Sequence, residues 1–159
     1  MAKVEITDLQ DHVRIGKKTI LKAVRHVIKE EGRVAKSLSV VLTDNRHIRD
    51  LSNEYLHRDA VTDVISFALE DPEWPEGQHA NNGTINGEII ASAERAYYQA
   101  QAIHGNPEAE LVLYIVHGLL HLMGYDDRSP QDARRMHARE DALLSQLGYP
   151  CVYAGQASV

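Results

Sequence analysis

The chain has 159 residues, of which 43% are hydrophobic and 25% are charged, and these values are ordinary for a soluble globular protein. A net charge of −6 argues against wholesale non-specific binding of nucleic acid, and a single cysteine, Cys151, excludes an intrachain disulfide. The longest apolar run, residues 111–123, is too short to span a bilayer, and the opening residues lack the apolar stretch of a secretory signal. We therefore expect one cytoplasmic domain over residues 1–159, without a membrane segment.

The first predicted elements are a strand, a helix and a second strand. VEITDL (4–9) alternates polar and apolar residues as a short strand does, and residues 17–31 carry apolar side chains at helical spacing up to Gly32. SLSVVLT (37–43) has the composition of a buried strand, and Asp44 is placed to cap a short helix after it. The chain is thus predicted to begin in strand–helix–strand–helix order.

The middle of the chain is predicted to hold two more strands on either side of a loop. DVISFAL (63–69) and TINGEIIAS (84–92) have strand-like composition, and a helix is expected over 93–103. Residues 70–83 contain two prolines and two glycines, which are typical of loops. We expect this segment to be a mobile loop beside the functional cleft.

Two helices with clear start signals complete the chain. Asn106 and Pro107 are typical of an N-cap and a first-turn proline, and the helix they start is predicted to end at Met123, before Gly124. The Ser-Pro pair at 129–130 is placed to start the last helix in the same way. Four strands interleaved with about five helices predict an α/β (α+β) fold with a mixed four-stranded sheet.

Basic residues are concentrated in two parts of this acidic chain. The first forty residues carry a net charge of +4. A second basic cluster follows residue 127 and consists of Arg128, Arg134, Arg135 and Arg139. Each cluster fits either the solvated face of a helix or a surface that binds phosphates.

Two histidines stand four residues apart in VHGLLHLMGYDD (116–127). On a helix this spacing puts the rings of His117 and His121 on one face, and the surrounding apolar residues predict burial on most sides. Two buried imidazoles either hydrogen-bond as core residues or share a metal, and divalent zinc fits this spacing well. Gly124 can let the chain fold back, so that Asp126 or Asp127 supplies a third ligand.

The segment HGLLHLMGYDD closely resembles the signature HGxLHLxGYDH of the YbeY family of bacterial metal-dependent endoribonucleases. Three further blocks are similar to family blocks in the same order, namely EYLHRDAVTDVISFALE (54–70), GEII followed by Ser92, and MHAREDALLSQLG (136–148). The resemblance implies a zincin-like metal helix and cleavage of single-stranded RNA. It also implies a role in maturation of the 16S rRNA 3′ end and in ribosome quality control, with rRNA precursors and the ribosome as partners.

Carried over by position, the metal ligands of the family fall on His117, His121 and Asp127, although the family usually has a third histidine in the last place. The resemblance implies one zinc per chain, or another divalent metal. A carboxylate is a normal zinc ligand, but it lowers the positive charge of the centre, which favours harder metals such as manganese. Asp126 is the rival ligand and is better suited to supporting the turn, while His137 is a candidate substitute ligand.

A second departure from the family concerns a basic residue on the substrate side. The family has a basic residue immediately after the position of Tyr55, where this chain has Leu56. This change predicts an enzyme slower than its relatives, with Leu56→Arg raising the rate. Arg58 is the candidate catalytic residue that could supply the missing charge if the backbone presents it to the cleft, and otherwise it is an ordinary surface arginine.

Two other functions compete with RNA cleavage. A metallopeptidase of the zincin type requires a glutamate directly after the first histidine as its general base, and this chain has Gly118 there. The other alternative is a metal-containing RNA- or ribosome-binding protein without catalysis, in which the metal is structural. An open coordination position favours catalysis, whereas the departures at Asp127 and Leu56 keep the binding alternative open.

Overall fold

The structure of the protein, a computed structural model, describes residues 3–56, 63–68 and 84–150. Strands and helices alternate along most of this part of the chain. The elements in chain order are β1 (Lys3–Asp8), α1 (Lys17–Glu30), β2 (Val34–Thr43), α2 (Asn45–Leu56), β3 (Val64–Ala68), β4 (Thr84–Ser92), α3 (Ala93–Ala102), α4 (Pro107–Leu122) and α5 (Pro130–Gln146).

The four strands form one mixed sheet in the order β1-β2-β4-β3. β1 runs parallel to β2, and β2 runs parallel to β4, whereas β3 pairs antiparallel with β4 at the edge. Parallel neighbours need a crossover connection, and the helix α1 provides it between β1 and β2. The expected α/β fold with a mixed four-stranded sheet and five helices is confirmed.

Helices cover both faces of the sheet, because successive residues of a strand point to opposite sides. On one face, Ile89 of β4 belongs to the large core that is shared with α1, α3, α4 and α5. On the other face, Ile90 joins Ile48 of α2 and Ile65 of β3 in a smaller apolar cluster. The helix α4 is the central element of the large core, and 11 of its 16 residues are buried.

The predicted element boundaries agree with the structure to within a few residues. The largest difference is at β2, which begins at Val34 and not at residue 37, because its first residues pair with β4. The predicted loop at 70–83 lies outside the described residues. Within the described part of the chain, no helix combines the length and hydrophobicity that crossing a membrane requires.

Candidate metal centre

The helix α4 positions the two histidines, and its sequence explains where it starts. The side chain of Asn106 accepts a hydrogen bond from the backbone N–H of Glu108 at 2.9 Å, and Pro107 occupies the first turn. An N-cap of this kind satisfies backbone donors that the helix itself leaves free. The predicted start signal of this helix is therefore confirmed.

Gly118 lets the metal-site face of α4 pack closely against the sheet. A methyl group at Gly118 would lie 3.0 Å from Ile89 Cγ2 of β4 and 3.2 Å from Val64 Cγ2 of β3. Both distances are shorter than ordinary van der Waals contacts. The glycine thus holds His117, the residue before it, close to the start of β3.

Gly124 turns the chain back after α4, as the sequence predicted. Its φ angle is +99°, a conformation that glycine adopts without steric cost. The Tyr125 N–H donates to the Leu120 carbonyl at 3.0 Å, and the Gly124 N–H donates to the His121 carbonyl at 3.1 Å. This pair of bonds is a Schellman motif, and it directs the residues after 124 towards the histidines.

The structure brings together the three side chains that the sequence marks as ligands. His117 Nε2 lies 3.0 Å from His121 Nε2, and Asp127 Oδ2 lies 3.6 Å from the first nitrogen and 3.8 Å from the second. Ligands about 2.0–2.1 Å from a tetrahedral zinc are spaced roughly 3.3 Å apart, so these separations are close to what the ion needs. The donor set therefore fits a divalent metal.

Both imidazole rings are held by their Nδ1 atoms, which leaves Nε2 to face the centre. His117 Nδ1 lies 2.5 Å from Glu140 Oε1 of α5, and His121 Nδ1 lies 3.1 Å from the Tyr125 carbonyl oxygen. An Nδ1–H that donates to an oxygen fixes the tautomer in which Nε2 carries the lone pair. These two bonds thus prepare both histidines to bind a metal through Nε2.

Glu140 joins the candidate centre through His117, although the sequence pattern did not single it out. Its side chain is completely buried, and its Oε2 atom has no hydrogen-bond partner among the described residues. The available signal was a glutamate on the core-facing side of α5, where its neighbours on that side are Met136, Leu143 and Leu144. A charged residue among such neighbours is rarely buried without a partner, and here the partner is His117.

The electrostatics of the centre favour a positive charge. Burial lowers the pKa of His117, but the hydrogen bond and charge of Glu140, with the charges of Asp127 and Asp63, outweigh it. The net result is a raised pKa for His117, so this site attracts cations even before a metal binds. Asp63 lies just before β3, where its carboxylate pairs with Arg95 of α3.

The neighbouring carboxylate, Asp126, has a different task from Asp127. Its Oδ1 accepts the backbone N–H groups of Asp127 at 2.7 Å and Arg128 at 3.2 Å. An aspartate that bonds the residues after it in this way stabilises a turn. Asp126 therefore shapes the loop that presents Asp127, and the three-residue cluster does not include His137.

The centre is open to solvent on the side of Asp127. The side chain of Asp127 is 41% exposed, whereas those of His117 and His121 are 22% and 30% exposed. Three protein donors on a tetrahedral ion leave a position for water or substrate, which distinguishes catalytic sites from closed structural ones. The candidate residue Arg58 lies outside the described residues, so its relation to this opening stays a prediction.

Comparison with known proteins agrees with the fold and with the family resemblance. The family model described as Endoribonuclease YbeY matches residues 5–148. A relative from Carboxydothermus hydrogenoformans, named Endoribonuclease YbeY, is 37% identical over 147 residues, covering 91% of this chain and 96% of the relative. A relative of the same name from Fusobacterium nucleatum is 39% identical over 131 residues, covering 81% and 78%.

A solved structure has a similar fold. The solution structure of TM1509 from Thermotoga maritima superposes with a TM-score of 0.60 at 22% identity, and the match covers 91% of this chain and 88% of that protein. At this identity the likeness concerns the fold alone. Because the family model spans nearly the whole chain and the relatives exceed 30% identity over most of their length, this chain belongs to the YbeY endoribonuclease family.

Proposed function

We propose that this chain, acting as one domain over residues 1–159, is a metal-dependent endoribonuclease that hydrolyses phosphodiester bonds in single-stranded RNA. The observation that carries the proposal is the open cluster of His117, His121 and Asp127, whose donor atoms lie within 4.8 Å of one another. Family membership supports the substrate class. A divalent cation at such a cluster supplies Lewis acidity to a phosphoryl oxygen or to water.

The residues around the cluster have separate tasks in this reaction. Glu140 and the Tyr125 carbonyl orient the two imidazoles, so that little rearrangement is needed when the substrate arrives. Asp127 completes the donor set from the exposed side, where the RNA backbone must approach. The packing of Gly118 against the sheet keeps the histidine face of α4 in place.

Zinc is the metal that we propose, with one ion per chain. Two imidazole nitrogens and one carboxylate oxygen are common zinc donors, and the donor separations are close to those of a tetrahedral ion. The carboxylate gives the site more negative charge than three histidines would, so manganese is the competitor. Metal analysis of the purified protein by mass spectrometry distinguishes them, and zinc at about one ion per chain is expected.

The natural substrate that we propose is a ribosomal RNA precursor, with the 16S rRNA 3′ end as the processed region and the ribosome as partner. This part of the proposal derives from the family resemblance, which also implies a role in ribosome quality control. The cytoplasm is the proposed compartment, since a chain with a single cysteine suits a reducing environment.

The direct test is cleavage of a fluorescent single-stranded RNA oligonucleotide by the purified protein. We expect cleavage that chelator abolishes and added zinc or manganese restores, and no cleavage by His117→Ala. His104→Asn is the matched control, because His104 is an exposed histidine remote in sequence from the site, and asparagine tolerates its positive φ of 53°. Cleavage that survives both chelator and His117→Ala comes from a contaminating nuclease.

The same experiment separates the competing functions. A metal-loaded wild type that binds RNA but cleaves neither the oligonucleotide nor a ribosomal RNA substrate is the result expected of a non-catalytic binding protein. A metallopeptidase is disfavoured, because this chain has Gly118 where such an enzyme has the glutamate that acts as general base. The space beside Gly118 is occupied by Ile89 and Val64. Cleavage of a peptide substrate by the metal-loaded protein would support the metallopeptidase alternative.

Arg58 remains the proposed substrate-side cation. We expect Arg58→Ala to lower the rate of RNA cleavage without loss of metal, since its role is to hold phosphate charge in the transition state. Leu56→Arg is expected to raise the rate, because it restores the basic residue of the family. A rate that neither variant changes would remove this stretch of the chain from the active site.

A further inference from the structure

A basic groove lies along α1, outside the candidate metal centre. It has a volume of about 490 Å³ and is formed by α1 and the last residues of α5. Its lining consists of Lys18, Leu21, Lys22, Arg25, His26, Lys29, Gln146 and Leu147. None of these described lining residues is acidic, and none of them belongs to the metal cluster.

Four cations of this groove form a single stripe. Lys18, Lys22, Arg25 and Lys29 are spaced four, three and four residues apart, which places them on one face of a helix. All four are exposed, and within the described part of the chain none of them forms an ion pair. Two exposed arginines elsewhere do have acidic partners, since Arg95 pairs with Asp63 and Arg128 pairs with Asp126. The stripe is therefore an uncompensated positive surface on an acidic protein.

This arrangement is unfavourable for α1 by itself. Like charges three or four residues apart repel each other on a helix surface. Lys17 and Lys18 also occupy the first turn, which has no acidic residue, although the helix dipole favours negative charge there. These like charges destabilise α1, which indicates that they serve to bind an anionic partner.

We propose that the α1 groove binds the phosphate backbone of the RNA substrate, at a distance from the bond that is cleaved. This inference rests on the proposed function, which supplies RNA as the polyanion that this protein must hold. Phosphate contacts from lysine and arginine fix the position of a nucleic acid and carry most of its salt-dependent affinity. The stripe from Lys18 to Lys29 is about 16 Å long, since an α-helix rises about 1.5 Å per residue.

The remaining lining of the groove determines what kind of RNA binding is expected. Leu21 and Leu147 provide apolar surface, and His26 Nε2 forms a hydrogen bond with Gln146 Oε1 at 2.7 Å. The described lining has no phenylalanine, tyrosine or tryptophan, and the imidazole of His26 is held by Gln146, so the phosphates are expected to dominate the contact. The groove is therefore expected to bind RNA without preference for base sequence.

The end of α1 contacts the loop of the candidate metal centre, so we expect one RNA to reach both sites. Glu31 directly follows α1, and its Oε2 accepts a hydrogen bond from the Tyr125 hydroxyl at 3.0 Å. Tyr125 precedes the proposed metal ligand Asp127 by two residues and also holds His121 through its carbonyl oxygen. The basic helix is thus fixed to the loop that completes the metal centre. The apolar face of α1 is buried in the core, and the cationic stripe lies on its exposed side.

The test measures RNA binding without cleavage, by fluorescence anisotropy of a labelled single-stranded RNA in the presence of EDTA. The variant replaces Lys18, Lys22, Arg25 and Lys29 by glutamine. We expect its Kd to rise by about tenfold or more, and the slope of log Kd against log salt to fall by about 3, since each lost phosphate contact accounts for about 0.7 in single strands. Oligo-A and oligo-U are expected to bind the wild type with similar affinity.

A charge-matched variant controls for net charge. It replaces the exposed residues Lys3, Arg14, Lys36 and Arg46 by glutamine, none of which lines the groove. Its affinity and salt slope are expected to stay close to those of the wild type. Equal weakening by the two variants would overturn the proposal, because net charge would then explain the binding. Unchanged RNA affinity in a folded groove variant would also overturn it and would point to an acidic protein as the ligand.

Two further measurements keep the result interpretable. The melting temperature of the groove variant is expected to equal or exceed that of the wild type, because the substitutions remove repulsion between like charges. In cleavage assays of the metal-loaded enzyme, the groove variant is expected to raise KM for a long RNA while kcat at saturation is unchanged. A wild type that binds RNA but does not cleave it would refute the proposed function and leave the groove proposal standing.

Discussion

Replacing Glu140 by glutamine removes the charge that holds His117 and preserves the shape of the side chain. The Glu140 carboxylate is completely buried, and its Oε1 lies 2.5 Å from His117 Nδ1. A glutamine oxygen can still accept the Nδ1–H, so the tautomer of His117 should survive. The loss of negative charge makes the imidazole a weaker electron donor to a metal at Nε2.

The expected effect on metal affinity is larger than the effect on folding. Changing a group that supports a metal-binding histidine typically weakens metal binding by about 10- to 100-fold. A hydrogen bond to a charged group contributes about 1.5–3 kcal/mol and a neutral one about 0.5–1.5 kcal/mol, so the metal-free protein should lose about 1 kcal/mol of stability. The amide nitrogen of glutamine takes the place of Oε2, which has no partner among the described residues, and an unpaired neutral group costs less to bury than a charged one, which offsets part of that loss.

The assay is competition for zinc against a chromophoric chelator, paired with urea unfolding of the metal-free protein. Glu140→Gln should weaken zinc binding and unfold at nearly the wild-type urea concentration. Glu108→Gln is the matched control, because Glu108 accepts its hydrogen bond from Tyr149, at the far end of α4. If zinc affinity of Glu140→Gln stays within about twofold of the wild type, Glu140 does not support the metal site and our reasoning is wrong.

Three further predictions concern the turn, the helix packing and a buried acid. Asp127→Asn should weaken zinc binding more than Asp126→Asn in the same chelator assay, and the reverse order would show that the wrong carboxylate was chosen. Gly118→Ala should lower the free energy of unfolding in urea by about 1–3 kcal/mol, because the added methyl group would lie 3.0 Å from Ile89. This steric crowding should outweigh the higher helix propensity of alanine. Burial raises the pKa of Glu110 above its usual 4.5, so the folded protein keeps a proton that the unfolded chain releases above that pH. Glu110→Gln should therefore stabilise the protein at about pH 8, and this gain in stability should shrink towards about pH 4. Thermal melts at both pH values would measure the difference.

The fold class was predictable because its signals are local. The apolar spacing of α1, the Asn-Pro start of α4 and the glycine at 124 each reflect backbone and burial preferences that a few neighbouring residues determine. The predicted strands and helices agree with the structure for this reason. The pairing order β1-β2-β4-β3 was not predictable, because it depends on contacts between residues far apart in the chain.

The candidate metal centre was likewise predictable from the sequence only in part. The four-residue spacing of His117 and His121 is enough to place both rings on one face of a helix, because helical geometry fixes which residues share a face. The sequence by itself could not decide between Asp126 and Asp127, because adjacent carboxylates differ only through the turn that presents them. The tertiary structure distinguishes the two positions: the turn engages Asp126 with backbone N–H groups, and Asp127 Oδ2 lies 3.6 Å from His117 Nε2.

Glu140 shows most clearly what only the tertiary structure decides. It lies on α5, well beyond the histidine motif, and nothing in the local sequence connects it to His117. The packing of α5 against α4 brings the two side chains together and removes the Glu140 carboxylate from water. A buried carboxylate is stable only beside a group that can donate to it, so the position of its partner is determined by how the two helices pack and not by sequence spacing.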